Sequence, residues 1–342
     1  MMTLGELNKF VIHFIGNKNN GDGVSLSDSL TDFKKINDSL NHLIINSFKF
    51  DELFKFEFST NLDLNPVYRF IESTFDNPNN FIEQSKNIGR YLYDKSTHPQ
   101  IKGGELCIAY FENCTLNNEI VDCIGFFKSE NKDTFLEVDK IHNGFEIDSK
   151  KGININKLDK GCLIFNIQKE DGYVVSIVDN TNRLNAQYWK NDFLSIQSLK
   201  NDFHQTNQFL GITKQFLTKH IQEDFEISKA DQIDFLNRSV DYFKTHQSFD
   251  KKDFEEKVFR DDNLIESFDN YNQSFQKEND LDISNTFEIS TQAVKKQAKA
   301  FKRVLKLDKN FHIYIHGNRD LIEKGIDEKG RKFYKIFYED EN

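Results

Sequence analysis

Residues 105–112 (ELCIAYFE), 119–129 (EIVDCIGFFKS), 134–138 (TFLEV), 161–168 (GCLIFNIQ) and 172–179 (GYVVSIVD) decide the fold. Each is a short apolar run or a period-2 alternation bounded by Asn, Asp, Gly or Lys clusters. Successive side chains of a strand point to opposite faces, so this spacing predicts an antiparallel meander over 104–196 as the sheet core.

Working outward from it, residues 7–15 are apolar and β-branched enough for a strand, and the turn signal 16–23 (GNKNNGDG) predicts a hairpin with 24–30. Asp32 or Asn37 is expected to cap a helix running to about Ser47, with Leu40, Leu43, Ile44 and Phe48 on a 3.6-residue period. Phe54, Phe56 and Phe58 alternate like a half-buried strand. Helices are then expected over 66–75, where Pro66 sits at an allowed first-turn position, and over 80–93.

Beyond the sheet the period changes from 2 to 3.6. Stretches 205–220, 229–247, 250–259 and 262–276 each space apolar residues by three and four, and 223–291 is rich in carboxylates that predict an acidic surface. The sign then reverses. Over 293–309 the chain carries Lys295, Lys296, Lys299, Lys302, Arg303, Lys306 and Lys309 against Asp308 alone. If this segment is one helix, Val294, Ala298, Phe301 and Leu305 form an inward stripe and the cations take the other sides. Stretches 311–316 and 331–338 are expected to pair as a terminal hairpin. The resulting class is α+β: a central antiparallel sheet with N-terminal helices, a helical C-terminal half and a terminal β-hairpin. Its expected domains are 1–200, built on the sheet, and 201–342, mostly helical and ending in the basic helix and hairpin.

Composition bounds the function. The chain has 342 residues, 37% hydrophobic, with 34 Phe and 11 Tyr available for a core, so global disorder is excluded. Its net charge of −10 opposes the global basicity of a DNA-coating protein, which confines any nucleic-acid contact to a local patch. Cys107, Cys114, Cys123 and Cys162 lack CxxC spacing and read as reduced thiols without metal. The early Glu6 and the absence of a long apolar stretch predict no secretory signal and no membrane span.

No motif names a reaction. GxSxG, GxxxxGK[ST], a GxGxxG following a strand and HExxH are all missing, so no catalytic residue, metal ligand or cofactor is assigned. The loop 17–28 resembles a calcium loop only partly, lacking its first Asp and its terminal Glu, and reads as a solvated turn. Stretch 128–134 (KSENKDT) combines a hydroxyl, lysines and carboxylates, but consecutive residues between strands diverge, and it reads as a polar turn. His312 and His316 would share a strand face with Tyr314, most simply an exposed one. Two readings of the basic segment stay open: a cationic face paired with the acidic helices before it, or a salt-dependent phosphate contact.

Gly103-Gly104-Glu105-Leu106, 125–136 (GFFKSENKDTFL), Gly152-Ile153-Asn154-Ile155, 160–166 (KGCLIFN), Ala186-Gln187-Tyr188-Trp189 with Phe193-Leu194, and 311–317 followed by Phe333-Tyr334-Lys335 resemble the bacterial nucleoid-associated protein family of about 37 kDa, in the form common among Bacteroidetes. The likeness runs over nearly the whole chain and rests on the order of fold motifs. It implies a cytoplasmic protein of the nucleoid that binds DNA without a sequence code and has no catalytic residues to carry over; the leading expectation is a non-enzymatic DNA-binding or DNA-topology accessory protein working as a homo-oligomer. For some members it implies a link to type IIA topoisomerases. The alternative is an interaction module whose acidic helical surface binds a basic partner and reaches DNA only through it.

Overall fold

The computed structural model describes residues 2–50, 52–181, 188–279, 281–299, 301, 304–308, 310–315 and 321–340. The chain divides into two compact units, 1–199 and 200–342.

The first unit is built on a sheet that has nine strands among the described residues, every pairing antiparallel. From one edge the order is Ile196–Ser198, Phe54–Phe56, Val174–Asp179, Lys160–Phe165, Glu119–Ser129, Gly104–Leu116, Glu6–Ile15 and Val24–Ser25. Met2–Thr3 pairs the far end of Gly104–Leu116. The period-2 alternation sorts side chains into two cores. Leu106, Ile108, Tyr110, Cys162 and Ile164 pack on one face with Val67, Ile71, Ile88 and Leu92 from the helices Pro66–Asp76 and Phe81–Lys95. Cys107, Ala109, Phe111, Leu163 and Phe165 pack on the other face with Leu43 and Ile44 from the helix Asn37–Ser47. Helices or loops cover both faces, which is why the strands read as nearly continuous apolar runs.

Local chemistry fixes the connections. Asn65 Oδ1 accepts the backbone N–H groups of Val67 and Tyr68 at 3.0 and 3.1 Å, capping a helix that opens on Pro66. Its Nδ2 donates to Leu194 O at 3.0 Å and ties that cap to the turn Tyr188–Leu194. Gly104 has to be glycine, since a Cβ there would lie 2.0 Å from Ser129 O.

The expected single sheet over 104–196 is corrected at Asp133–Ile141 and Gly144–Gly152. These strands pair only with each other and stand exposed outside both cores.

All four cysteines are free and buried. Burial pushes the Cys107 thiol up to about 12 and raises Cys123 and Cys162 as well, whereas a hydrogen bond with Cys123 lowers Cys114. The thiolate is the reactive form, so a thiol reagent at mildly alkaline pH should leave Cys107, Cys123 and Cys162 untouched in the native protein. In denaturant, without prior reduction, all four should titrate, and a count of two or fewer would show a disulfide.

The second unit is helical. Asp202–Gln215, Lys229–Thr245, Lys251–Val258, Asp262–Glu278 and Thr291–Ala298 surround an aromatic core in which Phe209 lies 4.4 Å from Phe249 and 5.1 Å from Phe254, ring to ring. Ser228 with Asp231, Asp250, and Asp261 cap the three helices between the first and last. The terminal hairpin exists, but the expected pairing of 311–316 with 331–338 is corrected. Phe311–Tyr314 pairs with Val304–Leu307, and Lys332–Ile336 pairs with Ile322–Ile326. Each strand takes the neighbour reached through a short turn, at the lowest loop-closure cost.

Candidate nucleic-acid interface

The basic segment is not one helix. Thr291–Ala298 is helical, capped by Ser290 Oγ accepting Ala293 N–H at 3.3 Å, and a strand, Val304–Leu307, follows. Pairing with a later strand sets the break. Val304-Leu305-Lys306-Leu307 alternates with a β-branched start, and Asp308 adopts the left-handed backbone, φ 50°, that turns the chain into Phe311–Tyr314.

The expected inward stripe is kept, but on two elements. Val294, Ala298 and Phe301 pack into the aromatic core, whereas Leu305 joins Ile233, Ile315 and Ile322 in a separate small cluster. Asn237 Nδ2 donates to Ile315 O at 3.4 Å and holds this cluster to the helix Lys229–Thr245.

Lys295, Lys296 and Lys299 lie exposed on or at the end of the helix, and Lys306 lies exposed on the strand directly across from His312. Lys302, Arg303, Lys309 and His316 fall outside the described residues. Gln297 Nε2 donates to Asn207 Oδ1 at 2.8 Å and fastens the helix to Asp202–Gln215, and Lys296 Nζ stands 5.4 Å from the Phe203 ring centre. Among the described residues no carboxylate lies within ion-pair distance of Lys295, Lys299 or Lys306. Among the described residues the segment therefore offers exposed cations on a helix and on a strand that are both anchored to the core of this unit.

Four of the carboxylates of 223–291 share one depression, into which Arg238 and Arg260 also reach. Glu226, Asp231, Asp234 and Asp261 line a depression of about 760 Å³ floored by Phe225, Phe235 and Phe259. Arg238 bridges part of it, its Nη2 2.9 Å from Asp234.

The sheet unit holds a polar constellation that sequence reasoning left as a polar turn. Lys128 and Lys160 are opposite each other on adjacent strands, both fully buried. Lys128 Nζ donates to Glu130 Oε1 and to Lys102 O, each at 2.8 Å, and Tyr188 OH donates to the same Glu130 oxygen at 3.1 Å. Lys160 Nζ donates to both Asp179 oxygens at 2.9 and 3.0 Å, and Asp159 accepts the backbone N–H groups of Glu130 and Asn131 at 2.7 and 2.8 Å. Lys128 and Glu130 are two apart in the sequence, but Glu130 lies just past the strand end, and Lys102, Tyr188 and Asp179 reach the two lysines only through the fold. Lys128, Glu130, Asp159, Lys160 and Asp179 each have an internal partner, and Glu130 and Asp159 also line a depression of about 530 Å³ with Lys102, Asn131 and Thr181. Among the described residues no group of three His, Cys, Asp or Glu could hold a metal ion, and no helix is long and apolar enough to cross a membrane.

A comparison with curated proteins gives no significant match. A family model described as nucleoid-associated protein YejK matches residues 11–341, across both units and the basic segment. The chain belongs to this family of nucleoid-associated proteins.

Proposed function

We propose that the protein is a non-enzymatic component of the bacterial nucleoid that holds duplex DNA by its phosphates, without a sequence code, through the cationic strip Lys295, Lys296, Lys299, Lys302, Arg303, Lys306 and Lys309. The observation that carries this reading is the exposure of Lys295, Lys299 and Lys306 with no described carboxylate in ion-pair range, in a chain whose net charge is −10. Such cations are positioned to neutralise phosphates and release condensed counterions. Nucleoid organisation and assistance to DNA topology, with a type IIA topoisomerase as partner and a homo-oligomer as the working form, belong to the same reading. So does a cytoplasmic location.

The test is binding of purified protein to duplexes of unrelated sequence across a salt series. We expect log affinity to fall linearly with log salt, with a slope of about −4 to −6 for four to seven contacts, and little difference between sequences. A salt-independent interaction, or none at low salt, would overturn the reading. The second reading, in which a basic partner docks on the acidic aromatic depression around Phe225 and Asp231 and brings DNA with it, is favoured by that depression's charge. It predicts no DNA binding by the protein alone and retention by a Lys-rich peptide.

A further inference from the structure

We propose that the hairpin Asp133–Ile141 with Gly144–Gly152 is a dimerisation arm, one face of which seats on the same face of a second copy of this chain. The strand register makes the two faces chemically different. Val138 lies across from Ile147, Leu136 from Ser149 and Lys140 from Phe145, all on one face. On the reverse face Glu137 lies across from Asp148 and Asp139 from Glu146. All four carboxylates of the central pairs are therefore on one side, and the apolar face has none.

That apolar face is left in water. Leu136 is 67% exposed, Val138 56%, Phe145 71% and Ile147 63%. A two-stranded hairpin covered on neither face is marginal in water, and contiguous exposed apolar patches of a few hundred Å² mark association sites. Among the described residues nothing of this chain covers it.

Area and charge identify the occupant as a second copy. These four side chains present about 500 Å² on one arm, so two arms bury about 1,000 Å² between them, which reaches the floor for a specific interface. The proteins repel each other overall, but apposing these faces turns both acidic faces outward and brings no carboxylates together. With the two-fold axis along the arm, the strand 133–141 of one copy lies over 144–152 of the other. Val138 then covers the second copy's Ile147, and Lys140 lies over the second copy's Phe145 instead of against another lysine. The arm's carboxylates outnumber its lysines, so it is no phosphate ligand.

Sedimentation equilibrium of the full chain, from low micromolar to near-millimolar concentration, tests this. The wild type should approach twice the monomer mass, and Val138→Glu with Ile147→Glu should stay monomeric with its unfolding transition unchanged. Glu146→Ala with Asp148→Ala, on the reverse face, should dimerise as the wild type does. Should the double Glu variant fail to fold, Phe145→Ser serves instead and should raise the dimer dissociation constant about tenfold or more. A wild type that stays monomeric throughout, folded apolar-face variants that dimerise undiminished, or equal loss in the reverse-face variant would each overturn the proposal, the first leaving the face to a different partner.

Discussion

Changing Lys295, Lys299 and Lys306 to Glu in one protein is expected to lower affinity for duplex DNA by about two to three orders of magnitude near physiological salt. Each phosphate contact contributes about 0.9 to the slope of log affinity against log salt, which at about 0.15 M is worth roughly fivefold. Losing three contacts therefore costs about a hundredfold, and three carboxylates set against phosphates add repulsion. The salt slope should fall by about three units, and the loss should be the same on every sequence. Folding should survive, because these side chains are exposed while Val294, Phe301 and Leu305 hold the segment inward. If the strip instead served to neutralise the acidic helices, the variant would lose thermal stability and keep its DNA affinity. A folded variant with undiminished affinity would remove this strip as the DNA contact.

The sheet was legible because its central residues obey one local rule, which register shifts break only near Leu7 and between Phe111 and Cys114 among the described residues. Alternation in 105–112 and 161–168 is fixed by which of two cores each side chain enters, and no distant contact changes that period. The basic segment was legible in composition but not in shape. Val294, Ala298, Phe301 and Leu305 fit a helical stripe, yet Leu305 also fits a strand, and the winning argument is the partner strand Phe311–Tyr314. Tertiary pairing overrode a short helical pattern, as it does when a segment is too brief to be stable alone. The hairpin Asp133–Ile141 with Gly144–Gly152 shows the converse. Its alternation is real, but alternation says that a strand has two different faces and not that either is covered by the same chain.

The buried lysines were illegible for a third reason: Glu130 neighbours Lys128 in the sequence, but Lys102 O, Tyr188 and Asp179 are brought to the two lysines only by the sheet. Glu130→Ala is expected to destabilise the sheet unit by about 3–5 kcal/mol at neutral pH, the cost of stranding one member of a buried ion pair. Glu130 Oε1 is the only carboxylate oxygen among the described residues in ion-pair range of Lys128, and without it Lys128 Nζ keeps Lys102 O and a 3.5 Å approach to Tyr188. Burial already holds Lys128 below the usual lysine value of 10.5 against the attraction of Glu130. The unfolded chain thus binds the proton more tightly than the folded one, and stability rises with pH up to about 10.5. Removing Glu130 lowers Lys128 further and widens that window downward, so the loss should be largest near neutrality and shrink as pH approaches 10.5. Glu130→Gln should lose less, since its carbonyl still accepts from Lys128 and Tyr188, and Lys128→Met with Glu130→Gln should recover most of the stability. Trp189 makes this measurable: it is the single tryptophan, fully buried, its ring 6.5 Å from that of Tyr188, so its fluorescence reports this unit's unfolding alone. The urea midpoint followed by Trp189 should fall by about 1 M or more in Glu130→Ala. A shift of less than about 0.3 M would mean that Lys128 is held by packing and Lys102 O and not by its ion pair.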